Sequence, residues 1–287
     1  MEEVKKILIT GAQGMLGSAL CETLSSHYQI IAVDKDECDI TDREKTLTFF
    51  RNAGADIILH CAAYTDVDRS EDQPQQVYAV NVEGTANIIE AIKGTNCLLV
   101  YISTDYVFDG TKKGAYIEPD LPHPLGVYGY SKLEGEKVVQ NFPKHLIVRT
   151  SWLFGPRGKN FVATIASKAK EKEALQVVDD QVGSPTYTRD LAKALAALLD
   201  LYCANRLTYG IYHVTNSGQC SWFEFAKYIL SLLHSSVTIK PISSKDLNRK
   251  AKRPLNSLLS NEKFYALSGF FLPSWQEAVK HYIEHCM

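Results

Sequence analysis

Residues 7–17 read ILITGAQGMLG. An apolar run that enters a GxxGxxG turn and leaves as an amphipathic pattern has few folding options. It predicts a buried strand, a sharp turn and a helix. Small residues let the turn close and let the backbone approach a pyrophosphate, which then sits on the helix N-terminus. The expectation is a dinucleotide site at this end of the chain.

The same alternation continues. Continuously apolar runs at 7–9, 30–33, 57–61, 98–102 and 146–148 read as strands buried on both faces. Helical patterns lie between them at 15–25, 43–53, 75–92 and 128–141. This is the pattern of an α/β fold with a doubly wound, Rossmann-type parallel sheet. Further on, 191–201, 222–233 and 275–285 read as helices, and 211–214 and 237–241 as strands. The expected division is a dinucleotide-binding domain over 1–151 and a smaller, mainly substrate-binding region over 152–287. Elements near 188–214 are expected to return to the first domain.

The chain has 287 residues and a formal net charge of −2. That balance gives no electrostatic footprint for nucleic acid or an anionic membrane. The densest basic stretch, NRKAKR at 248–253, is short and reads as a solvated face. The opening MEEVKK carries no signal-peptide pattern, and no apolar run approaches the ~20 residues of a membrane span. Seven cysteines at irregular spacing, with no CxxC pair, read as reduced thiols, so a cytoplasmic protein is expected.

Three further positions point to chemistry. Asp34 ends the second strand, 17 positions after Gly17, where a carboxylate takes the adenosine ribose hydroxyls. An acid there favours NAD over NADP, but the adjacent Lys35 softens that choice, so NADPH and NADH both remain open. Asp39 and Ile40 are placed near the adenine, with a surface loop as the alternative. In YGYSK, Tyr128 and Lys132 are four apart and share a helix face, whereas Tyr130 points elsewhere. A phenol has a pKa near ~10, and a nearby ammonium favours the phenolate. A depression of ~3 units corresponds to ~4 kcal/mol. Tyr128 is therefore expected to exchange a proton with a carbonyl/alcohol pair, with Lys132 lowering its pKa and holding the nicotinamide ribose. Thr104 follows the strand at 98–102 and lies where parallel sheets bind ligands, ready to hold the substrate oxygen.

With these residues in view, the chain resembles the extended short-chain dehydrogenase/reductases, and among them the dTDP-4-dehydrorhamnose reductase family. The resemblance rests on GAQGMLG, CAAYTDVDRSE (61–71), NVEGT (81–85), STDYVFDG (103–110), YGYSK, RTSWLFG (149–155) and VVDDQVGSPTYTRDLA (177–192). It implies reduction of the C4 ketone of a dTDP-sugar. It implies a cofactor surface of Gly11, Gln13, Gly14, Met15, Leu16, Gly17, Asp34, Asp39, Ile40, Ala62, Ala63 and Tyr64, completed by Tyr128 and Lys132. Asn81 would brace the lysine, directly or through water. Thr104, Asp105, Trp152, Asn160 and Arg253 would meet the sugar nucleotide. The analogy also allows a homodimer.

Position 106 separates this chain from related sugar-nucleotide dehydratases, which resemble it but place Asp-Glu after the threonine to remove a C5 proton. Here Tyr106 follows Asp105, and dehydration is disfavoured. Epimerases that use a Cys and a His beside the sugar are disfavoured too, because STDYVF holds no cysteine. The other alternative is a non-catalytic regulatory subunit resembling that of methionine adenosyltransferase. The terminal HxxEH at 281–285 lacks a downstream ligand, so no metal is expected. Trp222, Phe223, Phe225, Phe264 and Tyr265 read as core rather than as a base-stacking surface.

Overall fold

The computed structural model describes residues 4–171, 174–247 and 249–287. Met1 to Glu3 of the opening MEEVKK, and Asn248 of the basic stretch, lie outside the described residues. The first half runs β1 (Lys6–Thr10), α1 (Met15–Leu24), β2 (Gln29–Val33), α2 (Arg43–Ala53), β3 (Ile57–His60), α3 (Val67–Ser70), α4 (Pro74–Tyr78), a π-helical turn (Ala79–Glu83), α5 (Gly84–Ile92), β4 (Leu98–Thr104), α6 (Val127–Gln140) and β5 (His145–Thr150). The second half runs β6 (Leu153–Phe154), α7 (Phe161–Glu171), β7 (Leu175–Val178), β8 (Val182–Gly183), β9 (Thr186–Tyr187), α8 (Thr188–Cys203), β10 (Gly210–His213), β11 (Cys220–Ser221), α9 (Trp222–Leu232), β12 (Ile239–Ile242), α10 (Glu262–Ser268) and α11 (Trp275–Cys286).

Six strands form one parallel sheet in the order β10-β5-β4-β3-β1-β2. Alternate residues of a strand face opposite sides. Ile7, Ile9, Leu59, Val100 and Val148 meet one layer, which includes Leu20 of α1 and Leu195 of α8. Leu8, Ile58, Leu99, Tyr101 and Ile147 meet the other, which includes Phe50 of α2 and Ile88 of α5. Two covered faces are why these strands read as unbroken apolar runs. Helix ends follow local chemistry. Asp42 accepts from Lys45 N–H to start α2, and Gly54 ends it in the left-handed region. Ser221 with Glu224, and Ser274 with Glu277, close capping boxes on α9 and α11.

The predicted helix at 75–92 is one unbroken helical run in which the π-turn joins α4 to α5, and the strand placed at 237–241 is observed at Ile239–Ile242. A separate core gathers Phe154, Ile165, Phe225, Trp275 and Tyr282 between α7, α9 and α11. Trp222 and Phe223 pack against that core. No helix among the described residues is long and apolar enough to cross a membrane.

Candidate active site

Strand order reverses around β1, whose neighbours β2 and β3 leave on opposite sides. A crevice forms outside the carboxyl ends of the strands at such a switch point. Here it is a cavity of about 780 Å³ running from the glycine turn past β3 to the end of β4 and the start of α6. Gly11 has φ +63°, and a Cβ there would sit 2.9 Å from Ala62 N. A Cβ on Gly17 would come within 2.1 Å of Gly11 O. A larger residue at 17 would force α1 away from the turn, and one at 11 would press the turn against the chain leaving β3. Gly14 caps α1 without a side chain, so the ten-residue helix presents its bare N-terminus to the cavity. These features fit a dinucleotide pyrophosphate.

All the expected cofactor positions line this cavity: Gly11, Gln13, Gly14, Met15, Leu16, Gly17, Asp34, Asp39, Ile40, Ala62, Ala63, Tyr64, Tyr128 and Lys132. Asp34 is held at the end of β2 by Gln13 N–H (3.0 Å) and Lys35 N–H (2.9 Å). Lys35 turns toward Asp39 at 3.7 Å. The carboxylate therefore stands at the β2 end of the cavity with its neighbouring cation partly engaged.

Thr104, Asp105, Tyr106, Tyr128 and Trp152 line the same cavity. Thr104 ends β4, and its hydroxyl donates to Asp105 Oδ1 at 2.9 Å and accepts from Tyr106 N–H at 3.2 Å. Burial pushes the Asp105 carboxyl up to about 6, opposed by the Ser257 and Thr104 hydroxyls. Its Oδ2 is buried without a hydrogen-bond partner among the described residues. Tyr106 meets Tyr128 edge-on, with ring centroids 5.6 Å apart. Burial pushes its phenol up to about 12. Tyr130 is 49% exposed and lies outside the cavity lining.

The Tyr128–Lys132 pair departs from the expected electrostatics. Burial pushes the Tyr128 phenol well above its usual value, Thr104 pulls it down, and Asp105 and Tyr106 push it further up. Lys132 is not the group that governs it. The amine is only 3% exposed and sits 3.9 Å from the centroid of the Tyr101 ring. Burial pulls it down to about 7, with Glu136 and Cys61 acting in the opposite direction. Glu136 offsets the burial only in part. Glu136 lies one helical turn beyond Lys132, but its carboxylate accepts from Arg149 Nε (2.9 Å), Arg149 Nη2 (2.7 Å) and Ser103 Oγ (2.5 Å). An amine whose pKa burial pulls toward neutrality favours a phenolate less than an unperturbed cation does.

Asn81, expected to brace Lys132, instead bonds the residue before it on α6. From the π-turn it accepts from Tyr64 N–H at 2.8 Å and donates to Ser131 Oγ on α6 at 2.9 Å. Two expected nucleotide contacts fall outside the cavity lining. Asn160 donates to Gly155 O at 2.8 Å and accepts from Ala163 N–H at 2.9 Å, so its amide tethers the start of α7. Arg253 donates to Asp68 at 2.8 and 3.1 Å and to Ala251 O. Both are engaged by the chain itself. Sequence reading gave no role to Tyr101, Glu136 or Arg149; Arg149 opens the RTSWLFG motif, while the other two lie in β4 and α6 with no signature of their own. At the other end of the chain His281 and His285 stack 4.4 Å apart. Among the described residues no group of three or more His, Cys, Asp or Glu is arranged to hold a metal.

A family model described as the RmlD substrate binding domain matches residues 5–287. The chain belongs to the RmlD substrate binding domain family. Within that RmlD family it is 39% identical over 286 residues to a dTDP-4-dehydrorhamnose reductase of Aggregatibacter actinomycetemcomitans, covering 96% of this chain and 97% of the relative. It is 38% identical to the spore coat polysaccharide biosynthesis protein SpsK of Bacillus subtilis, covering 97% of each. The crystal structure of a dTDP-4-dehydrorhamnose reductase from Bacillus anthracis, in complex with NADP, superposes with a TM-score of 0.93 at 40% identity. It covers 98% of this RmlD-family chain and 99% of its own.

Proposed function

We propose that this chain is a dTDP-4-dehydrorhamnose reductase. It reduces the C4 ketone of a dTDP-6-deoxy-4-keto sugar with NADPH or NADH, giving dTDP-L-rhamnose or a close analogue for surface polysaccharide. The observation that carries this reading is one cavity lined by the glycine turn at one end and by Thr104, Tyr128 and Lys132 at the other. In our reading residues 1–151, with α8 and β10 laid back against them, hold the dinucleotide, and the rest of the chain closes over the sugar nucleotide.

A reduced nicotinamide dinucleotide supplies a hydride to the ketone carbon when bound. Tyr128 Oη donates its proton to the C4 oxygen, so that C=O becomes CH–OH and the phenolate is left to be reprotonated. Burial keeps the phenol protonated before the reaction, which is the form a general acid needs. Lys132, protonated below about 7, favours the phenolate that forms. Thr104 orients the sugar oxygen, and Asp105 and Trp152 bound the sugar. Tyr106 stands where an eliminating enzyme needs a carboxylate, and a buried phenol at about 12 does not remove a C5 proton.

Purified protein given dTDP-4-keto-6-deoxymannose is expected to consume NADPH or NADH. Tyr128→Phe is expected to lower kcat about 10²–10⁴-fold while leaving dinucleotide affinity unchanged. A fully active Tyr128→Phe protein would end the mechanism.

A further inference from the structure

Four non-glycine residues among those described have positive φ: Trp152, Arg157, Asn205 and His234. The last three are exposed, and only Trp152, at φ 48°, lines the cavity. A bulky side chain does not persist there unless its surroundings hold it. Three contacts do so. Its carbonyl accepts from Thr186 N–H at 3.2 Å. Its indole stacks on Trp222 with centroids 3.6 Å apart and planes 8° from parallel. Its ring edge lies against Gly183, where a Cβ would come within 2.6 Å of Cε2 and 2.8 Å of Cζ2.

The two supports come from one small ladder. Gly183 of β8 pairs with Cys220 of β11, and Trp222 follows two residues later as the first residue of α9. Ser221 between them caps α9 and donates to Asp179 at 2.7 Å, and Phe161 braces Trp222 at 4.6 Å. Trp222 and Gly183 themselves do not line the cavity.

We propose that Trp222 and Gly183 are positioning residues that hold the Trp152 indole as a fixed apolar wall at the sugar end of the cavity. They thereby set affinity for the sugar nucleotide and leave the dinucleotide untouched. This rests on the functional reading above. A wall already locked has little side-chain freedom to lose when a pyranose packs on it. Released, it must be ordered by the ligand, and the cost falls on binding.

The test is steady-state kinetics with dTDP-4-keto-6-deoxymannose, together with binding of dTDP-rhamnose followed by tryptophan fluorescence. In Trp222→Ala, KM for the ketosugar and Kd for dTDP-rhamnose are expected to rise about tenfold or more, with kcat and NADPH affinity within about threefold. Trp222→Phe, which keeps a stacking ring, is expected to recover most of the loss. Gly183→Ala, which displaces the indole from the other side, is expected to copy Trp222→Ala and serves if that variant does not fold. Unchanged KM in folded Trp222→Ala or Gly183→Ala, or equal losses for sugar nucleotide and NADPH, would overturn the inference. Absence of ketosugar reduction by the unaltered protein would instead overturn the functional reading.

Discussion

Lys132 is the residue whose state depends most on its surroundings. Around its amine stand the Tyr101 ring, the Glu136 carboxylate held by Arg149, the half-buried Cys61 and the His60 imidazole. Burial drives His60 down to about 3, so it stays neutral, and drives Cys61 up to about 12, so it carries no charge near neutrality. The amine falls from 10.5 to about 7 on folding. The unfolded chain therefore binds a proton that the folded protein holds less well. The resulting destabilisation is complete below about 7 and disappears as pH rises from there to 10.5. Lys132→Met is accordingly expected to raise the Tm of the ligand-free protein by several degrees near about pH 6, with the gain shrinking by about pH 9. Thermal shift across pH checks this, and a gain independent of pH would contradict it.

At the scale of elements, the π-turn and α6 act as a unit. The extra residue of a π-turn widens the helix locally, a feature common at functional sites. Here it carries Asn81 toward Ser131 on α6. Gly135 lets α6 approach: a Cβ there would meet Tyr101 Oη at 2.3 Å and Asn81 O at 2.8 Å. Tyr101 is 1% exposed and cannot move aside, so α6 would have to shift and carry Tyr128 and Lys132 with it. Gly135→Ala is expected to cost about 1–3 kcal/mol of stability and to lower kcat. Urea unfolding and steady-state kinetics measure both, and a variant unchanged in both would show that the helix has slack.

Across the whole molecule, the chain beyond 151 supplies part of the sheet's own core, although α7, α9 and α11 also close a core of their own. Leu191, Leu195 and Leu198 of α8, Tyr212 of β10, Phe264 of α10 and Leu272 join Ile7, Leu20 and Val148 in a single buried cluster. A fragment ending near 151 would uncover that face of the sheet. Regions that share a core unfold together. Calorimetry is expected to give one cooperative transition, and two separated transitions would show that the regions are energetically independent.

What the sequence determined by itself was whatever depends on neighbours a few positions apart. The glycine turn, the doubly apolar strands, and the Tyr128–Lys132 spacing on one helix face all follow from local sterics and periodicity. They were enough to expect the sheet, the glycine-turn end of the cavity and a Tyr–Lys pair on one helix face, whereas Ala62, Ala63 and Tyr64 were expected only from the family resemblance. Only the tertiary structure decided the state of those groups. It set Lys132 under Tyr101, gave Glu136 to Arg149 rather than to the amine, turned Asn160 and Arg253 onto the chain, and clamped Trp152 between Trp222 and Gly183. The physical reason is that desolvation and contact depend on what covers a group. In a sheet whose strands come from distant parts of the chain, that cover is supplied by residues whose spacing in sequence carries no trace of the meeting.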